Sequence, residues 1–170
     1  MPDELLSRQA PYSIEAEQAV LGSMLIEPKC IPGVIERLKP DDFYVEADRL
    51  IYDTIHQMFL NGRAIDPVTV LDEMKALGYK EAANRDFFLQ LIDTTPTAAN
   101  VEEYADIIRS KSMLRELQTV SSEIIDLTRS EEEDADTVAD LAEQKIYAVR
   151  QGREVQGFTS VNDAIQDVYA

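Results

Sequence analysis

NVEEYADIIRSKSMLRELQTVSSEIIDLT, residues 100–128, carries the longest helical pattern of this chain. Its apolar residues recur three or four positions apart, the spacing that places side chains on one face of an α-helix. Asn100, with Glu103 three residues later, resembles the capping box that starts many helices. We therefore predict a long helix from Asn100 to about Thr128. Its apolar positions are Tyr104, Ile107, Ile108, Leu114, Leu117, Val120, Ile124 and Leu127.

A second helical pattern follows the acidic residues 131–136. It runs from Thr137 to Arg150, and the acidic residues before it favour a helix start because negative charge stabilises the positive end of the helix dipole. Two long helices joined by a short polar link pack as an antiparallel hairpin. We predict such a hairpin over residues 100–150. The apolar stripe of its second helix is Val138, Leu141, Ile146 and Val149.

The residues before the hairpin show several shorter helical patterns. Ser13 is a typical N-cap for the first of them, and Pro28 ends it. Gly22 within this helix costs about 1 kcal/mol relative to alanine, which a close helix–helix approach would offset. Further helices are predicted near residues 31–38, 48–60, 67–77 and 87–92. The helix that Pro67 opens is expected to bury Val68, Val70, Leu71, Met74 and Leu77.

No convincing β pattern is present, so the predicted fold is all-α. It consists of a compact helical globule with a C-terminal antiparallel hairpin, which together form one domain over residues 13–150. Residues 1–12, punctuated by Pro2 and Pro11, are predicted to form a flexible arm. Residues 151–159 have the composition of a linker, and residues 160–170 are expected to start a further helix that is truncated at the end of the sequence.

The net charge of the chain argues against direct binding to nucleic acid. Sixteen basic residues face 33 acidic ones, which gives a net charge of −17. Such a surface repels phosphate, so little direct binding to nucleic acid is expected. No apolar run approaches the roughly 20 residues that span a bilayer, and the N-terminus has no secretory h-region, so a cytoplasmic protein is expected.

Motifs for catalysis are missing from the sequence. The one histidine, His56, has no cysteine or second histidine nearby with which to bind zinc. The six glycines form neither a dinucleotide-binding nor a P-loop pattern. The one cysteine, Cys30, is expected to be an inert thiol. We predict no catalytic, cofactor or metal residue, and the remaining enzymatic alternative is a hydrolase that uses Asp41, Asp42 and Glu46.

Several segments, in order, resemble the N-terminal domain of bacterial replicative DNA helicases of the DnaB type. They are residues 11–24 (PYSIEAEQAVLGSM), 39–44 (KPDDFY), 49–52 (RLIY), 62–69 (GRAIDPVT) and 95–108 (TPTAANVEEYADII), together with Arg115. The chain departs from the family at Asp48, where histidine is frequent, and at Ala83 and Asn84, where two glycines are frequent. The family's RecA-like motor domain would begin after residue 170.

The resemblance implies a domain for oligomerisation and primase interaction. Its partners would be the helicase-binding domain of primase and other copies of itself, whereas ATP and Mg²⁺ would bind in the motor domain. We expect Phe87, Arg115, Gln118 and Ile124 to contact the partner, and Leu117 and Val120 to pack between copies, although each could instead lie in the core. The alternative is a free-standing acidic helical adaptor that regulates another protein.

Overall fold

A computed structural model of the chain describes the backbone of residues 10–169 and the side chains of residues 10–152. No strand occurs between residues 10 and 169, so the prediction of an all-α fold is confirmed. Short 3-10 turns span Pro28–Cys30 and Pro40–Asp42. The helices are α1 (Ile14–Ile26), α2 (Ile31–Arg37), α3 (Glu46–Leu60), α4 (Pro67–Ala76), α5 (Arg85–Asp93), α6 (Val101–Ser130) and α7 (Ala135–Tyr169).

Local sequence signals set the ends of the shorter helices. The Ser13 hydroxyl accepts a hydrogen bond from the Ala16 N–H at 3.2 Å, which caps α1 as predicted. Asp66 caps α4 in the same way, and its own N–H donates to the Thr69 hydroxyl. Gly62 follows α3 with a positive φ of 68°, a backbone conformation that glycine adopts without strain. The predicted helix boundaries are correct to within about two residues in this region.

Residues up to Ser112 form the first of two compact units. Its helix α1 packs against α3 and α5. The buried Tyr52 hydroxyl donates a hydrogen bond to the Leu38 carbonyl at 2.6 Å, which ties α3 to the segment after α2. The largest fully buried side chains of this core are Tyr52, Phe88, Leu21, Met24, Ile31, Leu38, Ile51, Ile55, Met58, Met74, Leu91 and Ile108.

The predicted close approach at Gly22 is present between α1 and α5. A Cβ atom at this position would lie 2.6 Å from the Leu91 carbonyl oxygen and would also overlap Thr95. The backbone of α1 therefore reaches the end of α5 only because residue 22 has no side chain.

The first three turns of α6 belong to the globule. Val101, Ala105 and Ile108 are buried there, and the Ser112 hydroxyl donates to Asp42 Oδ1 at 2.8 Å. The second unit begins at Met113. The sequence predicted a single domain over residues 13–150, whereas the described contacts divide α6 between two units.

The last helix differs from the prediction. Helix α7 has 35 residues and exceeds α6, which has 30, because it continues through residues 151–159, where a linker was predicted. Glycine weakens a helix by about 1 kcal/mol relative to alanine, but Arg153, Glu154 and Gln156 are good helix formers. The helix predicted to start at residue 160 is thus part of α7. Residues 1–9 of the predicted arm lie outside the described residues.

Candidate interaction surfaces

The second unit is a helical hairpin. Helix α6 from Met113 onward and helix α7 are joined at residues 131–134, and Glu131 takes a positive φ of 53° at this turn. The Lys145 ammonium lies 2.9 Å from Glu123 Oε2 across the two helices. Because the chain turns back between these two residues, their pairing requires antiparallel helices. The predicted hairpin is therefore present.

The hairpin has almost no interior of its own. Between residues 113 and 152, Val149 is the one buried apolar side chain, with 7% of its surface exposed. Leu114 is 47% exposed and Ile146 is 45% exposed. Two helices cannot enclose the apolar stripes that they carry, so stable hairpins of this length bury them against further helices.

An apolar groove lies between the helices at the end of the hairpin. Glu131 and Glu133 are among its lining residues. Next to them, hydrogen bonds from the side chain and from the N–H of Thr137 lower the pKa of Asp134. The lining is mainly apolar, and the two glutamates add negative charge to it. The other lining residues are Ile124, Leu127, Thr128, Ala135, Val138, Ala139 and Ala142.

The predicted contact residues of α6 divide between two faces. Leu117, Val120 and Ile124 are half-buried and lie on one face, because they are three and four residues apart. Gln118 is exposed and lies about 100° around the helix from Leu117. Arg115 lies on the same side as Gln118, so the set predicted to bind the partner is not one continuous surface of α6. Ile124, which was predicted to contact the partner, lies instead on the same face as Leu117 and Val120, the residues predicted to pack between copies.

Phe87 lies in the first unit, on α5. Its ring is half-buried and packs against the hydrophobic core, whereas the next residue, Phe88, is only 2% exposed. Phe87 therefore supports the globule as well as offering part of its surface for contact.

A second apolar groove, between α4 and α5, was missed by the sequence analysis. Val68, expected in the core, lines this groove and is 76% exposed, and Leu77 is 51% exposed. The reason is that Val70 and Met74, four residues apart, bury the inner face of the short helix α4, which turns Val68 outward. The charged side chains that also line the groove are Asp72, Lys75 and Arg85.

Of the three acidic residues considered for hydrolysis, Asp42 holds parts of the fold together by hydrogen bonds. Asp42 is fully buried, and its two oxygens accept hydrogen bonds from the Lys39 N–H and the Ser112 hydroxyl. Asp41 and Glu46 are exposed. Within residues 10–152, no group of three or more His, Cys, Asp or Glu side chains is placed to hold a metal ion.

His56 and Cys30, the two other residues considered for chemistry, are both partly buried in the globule. The His56 ring is half-buried, 6.0 Å from the ring of Tyr52. Cys30 is also half-buried, and burial raises the pKa of its thiol to about 11, so the thiol stays protonated at neutral pH. Over the part of the chain that the structure describes, no helix has both the length and the apolar character needed to cross a bilayer.

These features define an all-helical domain whose globule is followed along the chain by a hairpin with incompletely buried apolar faces. The chain belongs to the family of DnaB-like helicase N terminal domains, whose profile matches residues 9–110. A crystal structure of the N-terminal domain of DnaB helicase from Mycobacterium tuberculosis has a TM-score of 0.76 and 37% sequence identity. That comparison covers 82% of this chain and 99% of the crystallised one.

Longer relatives match almost the whole chain. The replicative DNA helicase DnaB of Geobacillus stearothermophilus is 36% identical over 98% of this chain and 37% of its own length. The replicative DNA helicase DnaB of Mycobacterium leprae is 35% identical over 97% of this chain and 28% of its own length. The chain thus spans about a third of the length of these relatives.

Proposed function

We propose that this chain is the N-terminal domain of a replicative DNA helicase, acts in DNA replication, and contributes oligomerisation and primase binding rather than motor activity. The observation that carries the proposal is the hairpin, which exposes apolar faces and buries only one apolar side chain, Val149, between residues 113 and 152. Its similarity to helicases over almost its whole length supports the same assignment.

Self-association would complete the core of the hairpin. Two hairpins that pack face to face form a four-helix arrangement, in which each stripe faces apolar side chains instead of water. Leu117 and Val120 lie in the middle of the stripe on α6 and would pack between the two copies, and Ile124 would extend the contact toward the groove.

Primase binding would use the surfaces that remain. In this proposal, the helicase-binding domain of primase contacts Arg115 and Gln118 on the side of α6 away from the stripe, and Phe87 on the globule. The net charge of −17 favours a protein partner over direct binding to nucleic acid. ATP and Mg²⁺ would bind in a motor domain outside this sequence.

Replacing Gln118 with arginine is expected to weaken primase binding at least tenfold. Gln118 is exposed, so the substitution leaves the core intact and places a longer, charged side chain in the proposed contact. Titration calorimetry with the helicase-binding domain of the primase from the same organism measures the effect. Gln144→Arg is the matched control, because Gln144 is exposed on the other helix of the hairpin. Equal affinities for both variants and the wild type would remove Gln118 from the contact, and no heat with the wild type would refute primase binding.

A further inference from the structure

Two buried carboxyl groups meet where α1 packs against the start of α3. Glu17 lies in the first turn of α1 and Asp48 in the first turn of α3, and each is only 1% exposed. A buried carboxylate is costly unless a cation or hydrogen-bond donors compensate for the lost hydration. Of the described ionisable groups, Glu17 is the one whose charge acts on Asp48, and its charge has the same sign.

Glu17 caps α3 from another helix. Its two oxygens accept hydrogen bonds from the Tyr44 N–H at 3.1 Å and the Val45 N–H at 3.2 Å. Val45 is the N-cap of α3, and its own side chain makes no capping hydrogen bond. Because carboxylate oxygens are strong acceptors and the N-terminal end of a helix attracts negative charge, these bonds favour the ionised form of Glu17.

Asp48, unlike Glu17, lacks hydrogen-bond donors for its carboxyl group among the described residues. Neither of its carboxyl oxygens has a hydrogen-bond donor within the described part of the chain. It is the third residue of α3, from which an acidic side chain commonly reaches back to the N-cap N–H, but here Glu17 takes that N–H. A proton on Asp48 would supply the missing hydrogen bond, because the protonated oxygen can donate to Glu17.

We propose that Glu17 and Asp48 share one buried proton, and that this proton holds α1 to the start of α3. When the proton leaves for water, two like charges remain without a hydrogen bond between them, and the contact weakens. Burial and the adjacent Glu17 raise the pKa of Asp48 to about 7, which places the release near neutral pH. The segment that would loosen carries Tyr44, whose ring stacks on Tyr12 with centroids 4.5 Å apart.

Several other charged side chains of the globule have partners elsewhere. Asp42 accepts from Lys39 and Ser112, Arg49 lies 4.0 Å from Glu46, and Glu73 pairs with Arg63 at 2.6 Å.

The shared proton makes the free energy of unfolding depend on pH, because the folded protein and the unfolded chain bind different numbers of protons. An aspartate in an unfolded chain has a pKa of about 3.9, so between about pH 4 and pH 7 the folded protein holds a proton that the unfolded chain does not. Stability from this pair is therefore complete below about pH 4, decreases as the pH rises, and is lost above about pH 7. The proposal of a shared proton does not depend on the assignment of the chain to a helicase.

Asp48→Asn tests the proposal, because an amide donates to Glu17 at every pH. Urea unfolding of both proteins is compared between about pH 5.5 and pH 8.5. We expect the unfolding constant of the wild type, relative to the variant, to increase by up to tenfold per pH unit below about pH 7 and to level off above about pH 8. Asp41→Asn, at an exposed position, is expected to keep the pH dependence of the wild type.

A ratio of unfolding constants that does not change with pH would overturn the proposal. A ¹³C NMR titration of the Asp48 carboxyl in the wild-type protein gives an answer even if the asparagine variant fails to fold. A titration midpoint near the ordinary aspartate value would also overturn it.

Discussion

Gly22→Ala is expected to lower the free energy of unfolding by about 2 to 3 kcal/mol, although alanine is normally the better helix former. The added Cβ would meet Thr95 and would lie 2.6 Å from the Leu91 carbonyl oxygen, well inside van der Waals contact. A backbone atom cannot rotate away as a side chain can, so α1 and α5 must separate and lose apolar contacts. Urea unfolding followed by circular dichroism measures the loss.

Gly33→Ala is the matched control. Gly33 also lies inside a helix, but the nearest atom that a Cβ would meet is Glu102 Oε1 at 3.9 Å. The same substitution is therefore expected to stabilise the protein by up to about 1 kcal/mol. A Gly22→Ala variant as stable as Gly33→Ala would show that α1 and α5 are not in close contact.

Asp42→Ala is expected to destabilise the protein by about 3 kcal/mol. The substitution removes a buried acceptor and leaves the Lys39 N–H and the Ser112 hydroxyl without it. The bond to Ser112 lies at the last residue of the first unit, so its loss frees this turn of α6 from the globule. Thermal unfolding of the variant measures the effect on stability.

Asp41→Ala provides the comparison for Asp42→Ala. Asp41 occupies the same 3-10 turn but is exposed, so its removal is expected to change the stability by less than about 0.5 kcal/mol. Equal losses at the two positions would indicate a general effect of charge in this turn, and would contradict the role given to Asp42.

Local signals explain why much of the fold could be predicted. Ser13, Pro28, Gly62 and Pro67 act through their own backbone and side-chain chemistry, and they mark helix ends without knowledge of the tertiary structure. The close approach at Gly22 was expected from the cost of a glycine inside a helix, but this signal does not always hold, because Gly33 also lies inside a helix and has no such contact.

Features that depend on tertiary contacts could not be predicted in this way. Val68 fits the apolar pattern of α4, but the short helix has room in the core only for Val70 and Met74. The division of α6 at Ser112 depends on a hydrogen bond to Asp42, 70 residues earlier in the chain. The pairing of Glu17 with Asp48 likewise joins two helices, and two acidic residues far apart in a chain of 33 acids give no signal.

The candidate surfaces show the same limit. Periodicity identified the stripe of Leu117, Val120 and Ile124 correctly as one face of α6. It could not show that the hairpin leaves this stripe half-buried, because burial depends on how many helices surround it. The groove between α4 and α5 was missed for the same reason: it is formed by side chains of two helices, and the periodicity of each helix does not show how the two pack together.

Sedimentation equilibrium over a concentration series tests most directly whether the hairpin is a self-association surface. The wild-type protein is expected to shift with concentration from a mass of 19.2 kDa toward twice that value. Leu117→Asp is expected to stay near 19.2 kDa, whereas Thr119→Asp, at an exposed position, is expected to associate like the wild type. Circular dichroism confirms that both variants keep their helices. A wild-type chain that remains at 19.2 kDa at every concentration, or a Leu117→Asp variant that associates as well as the wild type, would show that this stripe of the hairpin is not a self-association surface.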